Sequence, residues 1–191
     1  MRRVMIIGQP GSGKSTLALA MGRRTGLPVY HMDHFHWMTG WVERPLRDKN
    51  ILCSEVHENT DWIFEGGHSA TWDERLARAD TLIWLDVPPV LRMVRICRRT
   101  LRHWGRNRPD MADGCPEHFN WAFLQFIWRT RHSHRSMMAR LYEGAPQDKT
   151  RIRLTSLREV RDYLSTLGQD IAPGRQGRPR ATGRYSAGQG V

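Results

Sequence analysis

Lysine is nearly missing from this chain. Lys14, Lys49 and Lys149 are the only three among 30 basic side chains, so arginine supplies the other 27 and, with them, the net charge of +11. Arginine grips phosphate bidentately whether the phosphate belongs to a polynucleotide or to a free nucleotide, so the charge alone separates neither partner from the other. Long apolar runs are missing too. No stretch approaches the ~20 residues that span a bilayer, and the first residues lack the apolar core of a signal peptide, so we expect a cytoplasmic protein without a membrane partner. Cysteine is sparse: Cys53, Cys97 and Cys115 are widely spaced and form no C-x-x-C pair, which argues against a disulfide framework and against a zinc site.

Hydrophobic residues make up 39%, low for a globular chain, and the shortfall falls in arginine-rich segments and after Gly168. From 168 to 191 the sequence is Gly, Pro, Gln and Arg without periodicity. We expect a basic tail that stays disordered, because it buries too little apolar surface to offset its ordering entropy. Residues 1–167 are then one domain of ordinary size.

What is present begins at once. Val4-Met5-Ile6-Ile7 is an unbroken apolar run, as in a parallel strand buried on both faces, and Gly8-Gln9-Pro10-Gly11-Ser12-Gly13-Lys14-Ser15 follows it directly. The spacing is that of the phosphate-binding loop G-x-x-x-x-G-K-[ST] between a strand and a helix. Glycines there let successive N–H groups turn inward as a nest for phosphate oxygens, and the next helix contributes its positive end. Residues Gly8 to Thr16 are therefore the expected ATP-binding set, with Lys14 reaching the β- and γ-phosphates and the Ser15 hydroxyl offered to Mg2+.

The remaining pattern alternates strands and helices, so the expected architecture is α/β, a three-layer fold on a five-stranded parallel sheet. The predicted strands are about 3–7, 29–32, 61–65, 81–86 and 151–155. Asp33, Glu65 and Asp86 stand at the carboxyl ends of three of them, where ligands of open α/β sheets collect. Asp33 is the candidate to orient or deprotonate an acceptor hydroxyl; Glu65 and Asp86 are alternative acidic partners of the magnesium ion. Trp37 and Trp41 are either packing under a loop or walls of a second-substrate pocket. His31, His34 and His36 lack a completing cluster of metal ligands.

The helix from about Pro89 to His103 puts Val90, Val94, Cys97 and Leu101 on one face and Arg92, Arg95, Arg99 and Arg102 on the other, and we expect Arg92 to lie on a solvated surface. Arginines then crowd toward Pro109-Asp110-Met111-Ala112-Asp113-Gly114, which suggests a mobile lid over about 98–118, with Arg99, Arg102 and Arg106 as catalytic cations. One long helix is predicted from about Pro116 to Glu143, with Trp121, Leu124, Ile127 and Trp128 as its apolar stripe. Ser156 and Glu159 form a capping box ahead of a last helix.

Together, Gly8 to Ser15, Asp33 with Trp37 and Gly40-Trp41, Trp62-Ile63 to Gly66, Leu85-Asp86-Val87-Pro88 and Arg106 to Pro116 resemble the nucleoside-monophosphate-kinase branch of P-loop proteins. Within it the chain is most similar to the bacterial family of DNA topology modulation or adenylate-kinase-related proteins. The resemblance implies an acceptor region after the second strand and an arginine-bearing lid, with Glu65-Gly66 standing where adenylate kinases have Asp-Gly. The expected activity is ATP-dependent phosphoryl transfer to an unidentified small acceptor. A nucleotide-dependent DNA- or RNA-binding protein and a slow ATPase switch without acceptor are the alternatives.

Overall fold

The structure, a computed structural model, describes residues 1–168 and 176–178. Five strands, β1 (Arg3–Gly8), β2 (Val29–His31), β5 (Trp62–Glu65), β6 (Thr81–Leu85) and β7 (Thr150–Leu154), lie parallel in the order β7-β6-β1-β5-β2, while the two-residue β3 (Trp37–Met38) and β4 (Val42–Glu43) make a separate antiparallel ladder. Along the sheet, alternate residues serve opposite layers. Met5, Ile7, Phe64, Leu82 and Trp84 pack against Phe35, Leu52, Val56, Leu76 and Met138 of α2 (Met32–His36), α3 (Leu46–His57), α4 (Trp72–Arg78) and α7 (Arg131–Glu143). Val4, Ile6, Ile63, Ile83 and Leu85 pack instead against Leu17 and Met21 of α1 (Lys14–Thr25) and against Val160 and Leu164 of α8 (Leu157–Thr166). This is the expected three-layer α/β sandwich; β1, β5 and β6 are almost wholly buried because both faces are covered, whereas β7 (Thr-Arg-Ile-Arg-Leu) is a largely exposed edge strand.

Chain direction makes the site. From β1 the chain runs outward to β2, returns through β5, and then crosses to β6 and β7 on the other side of β1. The sheet therefore opens beside the carboxyl end of β1, and the loop 9–13 fills that opening.

Four expectations need correction. In α5 (Pro89–Arg102) the inward face is Arg92, Ile96 and Thr100, whereas Val90 and Leu101 are 65% and 74% exposed. Arg92 is only 1% exposed: its partner surface is the phosphate loop, whose polar carbonyls suit a guanidinium better than a valine. The long helix is two helices, α6 (Trp121–Arg129) and α7, broken at Thr130, whose hydroxyl donates to the Phe126 carbonyl at 2.7 Å. Asn120 caps α6 by accepting from the Phe123 N–H at 2.9 Å, so residues before it pair elsewhere: Asn107 bridges to Pro116 and Trp104 to Glu117. Of the predicted stripe only Leu124 and Ile127 are buried. Finally, Gln176–Gly177, within the stretch expected to lack structure, forms β8 beside β2 as a sixth strand; the rest of that expectation, 169–175 and 179–191, lies outside the described residues.

The capping box is present: Ser156 Oγ accepts from the Glu159 N–H at 3.2 Å and Glu159 accepts from the Thr155 N–H at 2.8 Å. All three cysteines are free thiols, and among the described residues no helix is long and apolar enough to cross a membrane.

Candidate active site

The phosphate loop is braced from three sides. Gly11 has φ +78°, and a Cβ on it would stand 2.6 Å from the Arg92 carbonyl oxygen, so glycine is required both by the backbone and by the closeness of α5. Arg92 Nη1 donates to the Pro10 carbonyl at 3.4 Å, Arg95 Nη1 to the Ser12 carbonyl at 2.9 Å, and Gln9 Nε2 to the Arg131 carbonyl at 2.9 Å. Gly13, at φ +99°, caps α1, whose first turn has no acidic residue and no side-chain cap, so its N–H groups face the loop's concavity without a carboxylate of their own. Lys14 Nζ donates back to the Gln9 carbonyl at 3.3 Å, and the buried Ser12 hydroxyl has no hydrogen-bond partner among the described residues. Thr16 is exposed on α1.

Behind the loop stand the strand ends. Ser15 Oγ donates to Glu65 Oε1 at 3.0 Å, and His31 Nδ1 meets the same oxygen at 2.9 Å. Burial alone would raise the Glu65 carboxyl, but the His31 hydrogen bond and the Lys14 charge hold it below the ordinary range. His31 shifts the other way: burial opposes its cation, yet Glu65 raises it above the ordinary histidine range. Both side chains are almost wholly buried, and they form an ion pair whenever the imidazole is protonated. Gly66 follows at φ +118°, and a Cβ there would meet that of Met32 at 2.5 Å, which keeps the end of β5 against the start of α2.

Asp33 occupies that start. Burial, then the Glu65 charge, pushes its carboxyl up to about 6, against the lowering influence of Arg108 and Lys14. Arg108 is buried, with Nε 2.7 Å from Glu117 Oε2 and Nη1 3.2 Å from Asp110 Oδ2. Asp110 lies low in spite of burial because of the Arg108 charge and the Ser15 hydroxyl. The segment 103–118 thus folds over the loop and brings one cation and one further carboxylate to it.

Lys14, Ser15, Glu65 and Asp33 come together as the sequence leads one to expect, but two groups do not. Asp86 turns away: Arg135 holds it in a bidentate pair at 2.8 and 2.8 Å, and Arg153 Nη2 adds a contact of 2.6 Å. Both its oxygens are committed to guanidinium groups, which removes it as the acidic partner of a metal at Ser15. The arginines also divide differently. Arg99 is tied to Glu117 at 3.2 Å, Arg102 and Arg106 are exposed, and the cation beside Asp33 is Arg108. Arg95 and Asp110 have no sequence signal of their own, since their roles arise from α5 crossing the loop and from the fold of 103–118.

Oxygen donors of this kind, a hydroxyl with carboxylates, suit a hard cation such as Mg2+. Among the described residues no three His, Cys, Asp or Glu side chains converge as a closed metal cage.

Beside the site is a cavity of about 310 Å³, lined by His34, Trp37, Thr39, Arg44, Met111 and Asp113 among others. Trp37 faces this space, whereas Trp41 packs on its neighbour at 5.4 Å between ring centres and donates its indole N–H to the Pro116 carbonyl at 3.1 Å.

No family model matches the chain. It is 26% identical over 144 residues, 73% of its length and 77% of the other, to the uncharacterized protein YqaC of Bacillus subtilis (strain 168). Two solved structures share its fold: shikimate kinase from Bacteroides thetaiotaomicron (TM-score 0.57, 17% identity, 87% of this chain and 96% of that one) and shikimate kinase from Acinetobacter baumannii in complex with shikimate (0.54, 15%, 87% and 90%). At that identity the likeness establishes architecture alone: this chain shares the three-layer α/β fold of those two structures, with β7, β6, β1, β5 and β2 parallel at its centre.

Proposed function

We propose that the protein is an ATP-dependent phosphotransferase acting on a small hydroxylated acceptor. The observation that carries this reading is the convergence of Ser15 and Glu65, 3.0 Å apart, with Lys14 and a half-buried Asp33 around one loop that presents free helix N–H groups. Phosphoryl transfer requires positioning and neutralisation of charge more than covalent chemistry, and these groups supply both. The loop N–H groups and Lys14 bind the triphosphate. Ser15 and Glu65 would hold Mg2+, which offsets phosphate charge when bound.

Asp33 is the base. A carboxyl near 6 is ionised at neutral pH yet more basic than an exposed aspartate, which favours accepting a proton from an acceptor hydroxyl. Arg108 stands beside Asp33 as the cation for the transferring group, and the loop 103–118 keeps water away. The acceptor would enter by the cavity that His34, Trp37 and Arg44 line. The narrower resemblance, to the adenylate-kinase-related family, draws on the same residues.

The reading is tested on Lys14→Ala. Its fold should persist, since the side chain's hydrogen bond is a long one of 3.3 Å to the Gln9 carbonyl and it is not part of the apolar core, while ATP turnover should drop by two orders of magnitude or more, on the scale of removing one preorganised donor. Near-normal turnover would refute the reading.

A further inference from the structure

α6 buries only Leu124 and Ile127, against Ile96 and Met93, and turns its aromatic side chains outward. Trp121 is 64% and Trp128 46% exposed, and Phe119, Phe123 and Phe126 are exposed with them. The two tryptophans are seven residues apart, two helical turns, and so stand on one face. Between them is a recess of about 230 Å³ with Leu124 and Met93 as floor and with Gln125 and Arg129 on its walls. Ring stacking already occurs here: Phe119 lies near-parallel to Trp121 (24° between planes, centres 6.4 Å apart), and the Arg131 guanidinium covers the Trp128 ring at 4.3 Å.

The charge around this face selects among occupants. Of the four arginines between Phe119 and Tyr142, Arg129 lines the recess and Arg131 covers Trp128, whereas Arg135 is paired with Asp86 away from it, and the stretch itself holds no carboxylate. A second copy of the chain would set like charges against each other across a two-fold axis, so the complementary partner is an anion. A bilayer surface is met by a convex apolar face with its polar groups turned away. Here the apolar surface is a slot, and an amide and a guanidinium line it. Flat aromatic walls, polar groups at the edge and cations alongside are what a base and its backbone phosphate require.

We propose that the Trp121–Trp128 slot of α6 binds single-stranded nucleic acid, one base stacking on an indole while the neighbouring arginines take the phosphates. The site is separate from the phosphate loop, and the proposal does not rest on the phosphotransferase reading.

The test uses the full chain without ATP. Fluorescent DNA and RNA oligonucleotides of about 12 residues are titrated beside an abasic strand of equal charge and beside anionic phospholipid vesicles, at about 50 and 200 mM salt. Oligonucleotides with bases should quench tryptophan emission and bind at least about tenfold tighter than the abasic strand, with DNA and RNA compared to identify the natural class. Trp121→Ala with Trp128→Ala should bring that affinity down to the abasic level without altering the salt dependence or the melting temperature. The wild-type comparison of based and abasic strands stands even if the double variant misfolds. Equal affinity for both strands would overturn the proposal, as would vesicle binding without strand binding, or a concentration-dependent dimer that buries the indoles.

Discussion

Arg92 passes beneath the phosphate loop and donates to the Pro10 carbonyl at 3.4 Å, with 1% of its surface exposed. It braces the loop from the side on which α5 packs. Arg92→Ala should therefore lower stability by about 2–4 kcal/mol, through lost packing and the orphaned Pro10 carbonyl, whereas the exposed Arg102→Ala should leave it unchanged within about 0.5 kcal/mol. Urea unfolding of both variants checks this. Equal stabilities would mean that the loop holds its shape without α5.

His31 and Glu65 make stability depend on pH in a defined window. His31 is raised, so its contribution is complete below the ordinary histidine range and lost as pH rises through its folded value; Glu65 is lowered, so its contribution is complete above the ordinary carboxyl range and lost as pH falls through its folded value. The pair contributes most between about pH 5 and 6. Melting temperature should decline on the alkaline side of that window, and His31→Gln should flatten the decline while lowering the maximum.

Asp33 has the opposite sign. Raised to about 6, its carboxyl is neutral more readily in the folded chain than in the unfolded one, so above that pH its charge is a standing cost to the fold. Asp33→Asn should stabilise the protein at pH 7.5 by on the order of 1–2 kcal/mol, and the gain should vanish toward pH 4. Phosphoryl transfer should meanwhile fall by about a hundredfold or more. A variant that is both destabilised and active would exclude Asp33 as the base.

Arg108 and the more distal arginines separate in kcat. Arg108→Met should lower it by about a hundredfold or more, while Arg102→Ala and Arg106→Ala, at exposed positions, should change it less than about threefold. Steady-state kinetics on the three variants decides which arginine meets the phosphates.

What the sequence made legible was local. The loop Gly8 to Ser15, the apolar strands and the Ser156–Glu159 cap each depend on neighbours within a few residues, and each stands as expected. The orientation of α5 was illegible for a physical reason. Its two stripes are equally regular, and only the carbonyls of Pro10 and Ser12, some 80 residues earlier, draw Arg92 and Arg95 toward the loop, so that the inner face becomes Arg92, Ile96 and Thr100 and neither predicted stripe. Asp86 has the strand-end position of a metal ligand, and its commitment to Arg135 and Arg153 follows from where α7 and β7 pack. Asp110 sits in a segment without periodicity and reaches Ser15 only through the fold of the loop.

The most direct measurement incubates the protein with γ-labelled ATP, Mg2+ and a panel of nucleoside monophosphates and small hydroxylated metabolites, and then locates the label. Label should appear in an organic acceptor, transferred by the wild-type chain and abolished together by Lys14→Ala and Asp33→Asn. Label released only as inorganic phosphate, at a rate that no acceptor alters, would contradict it.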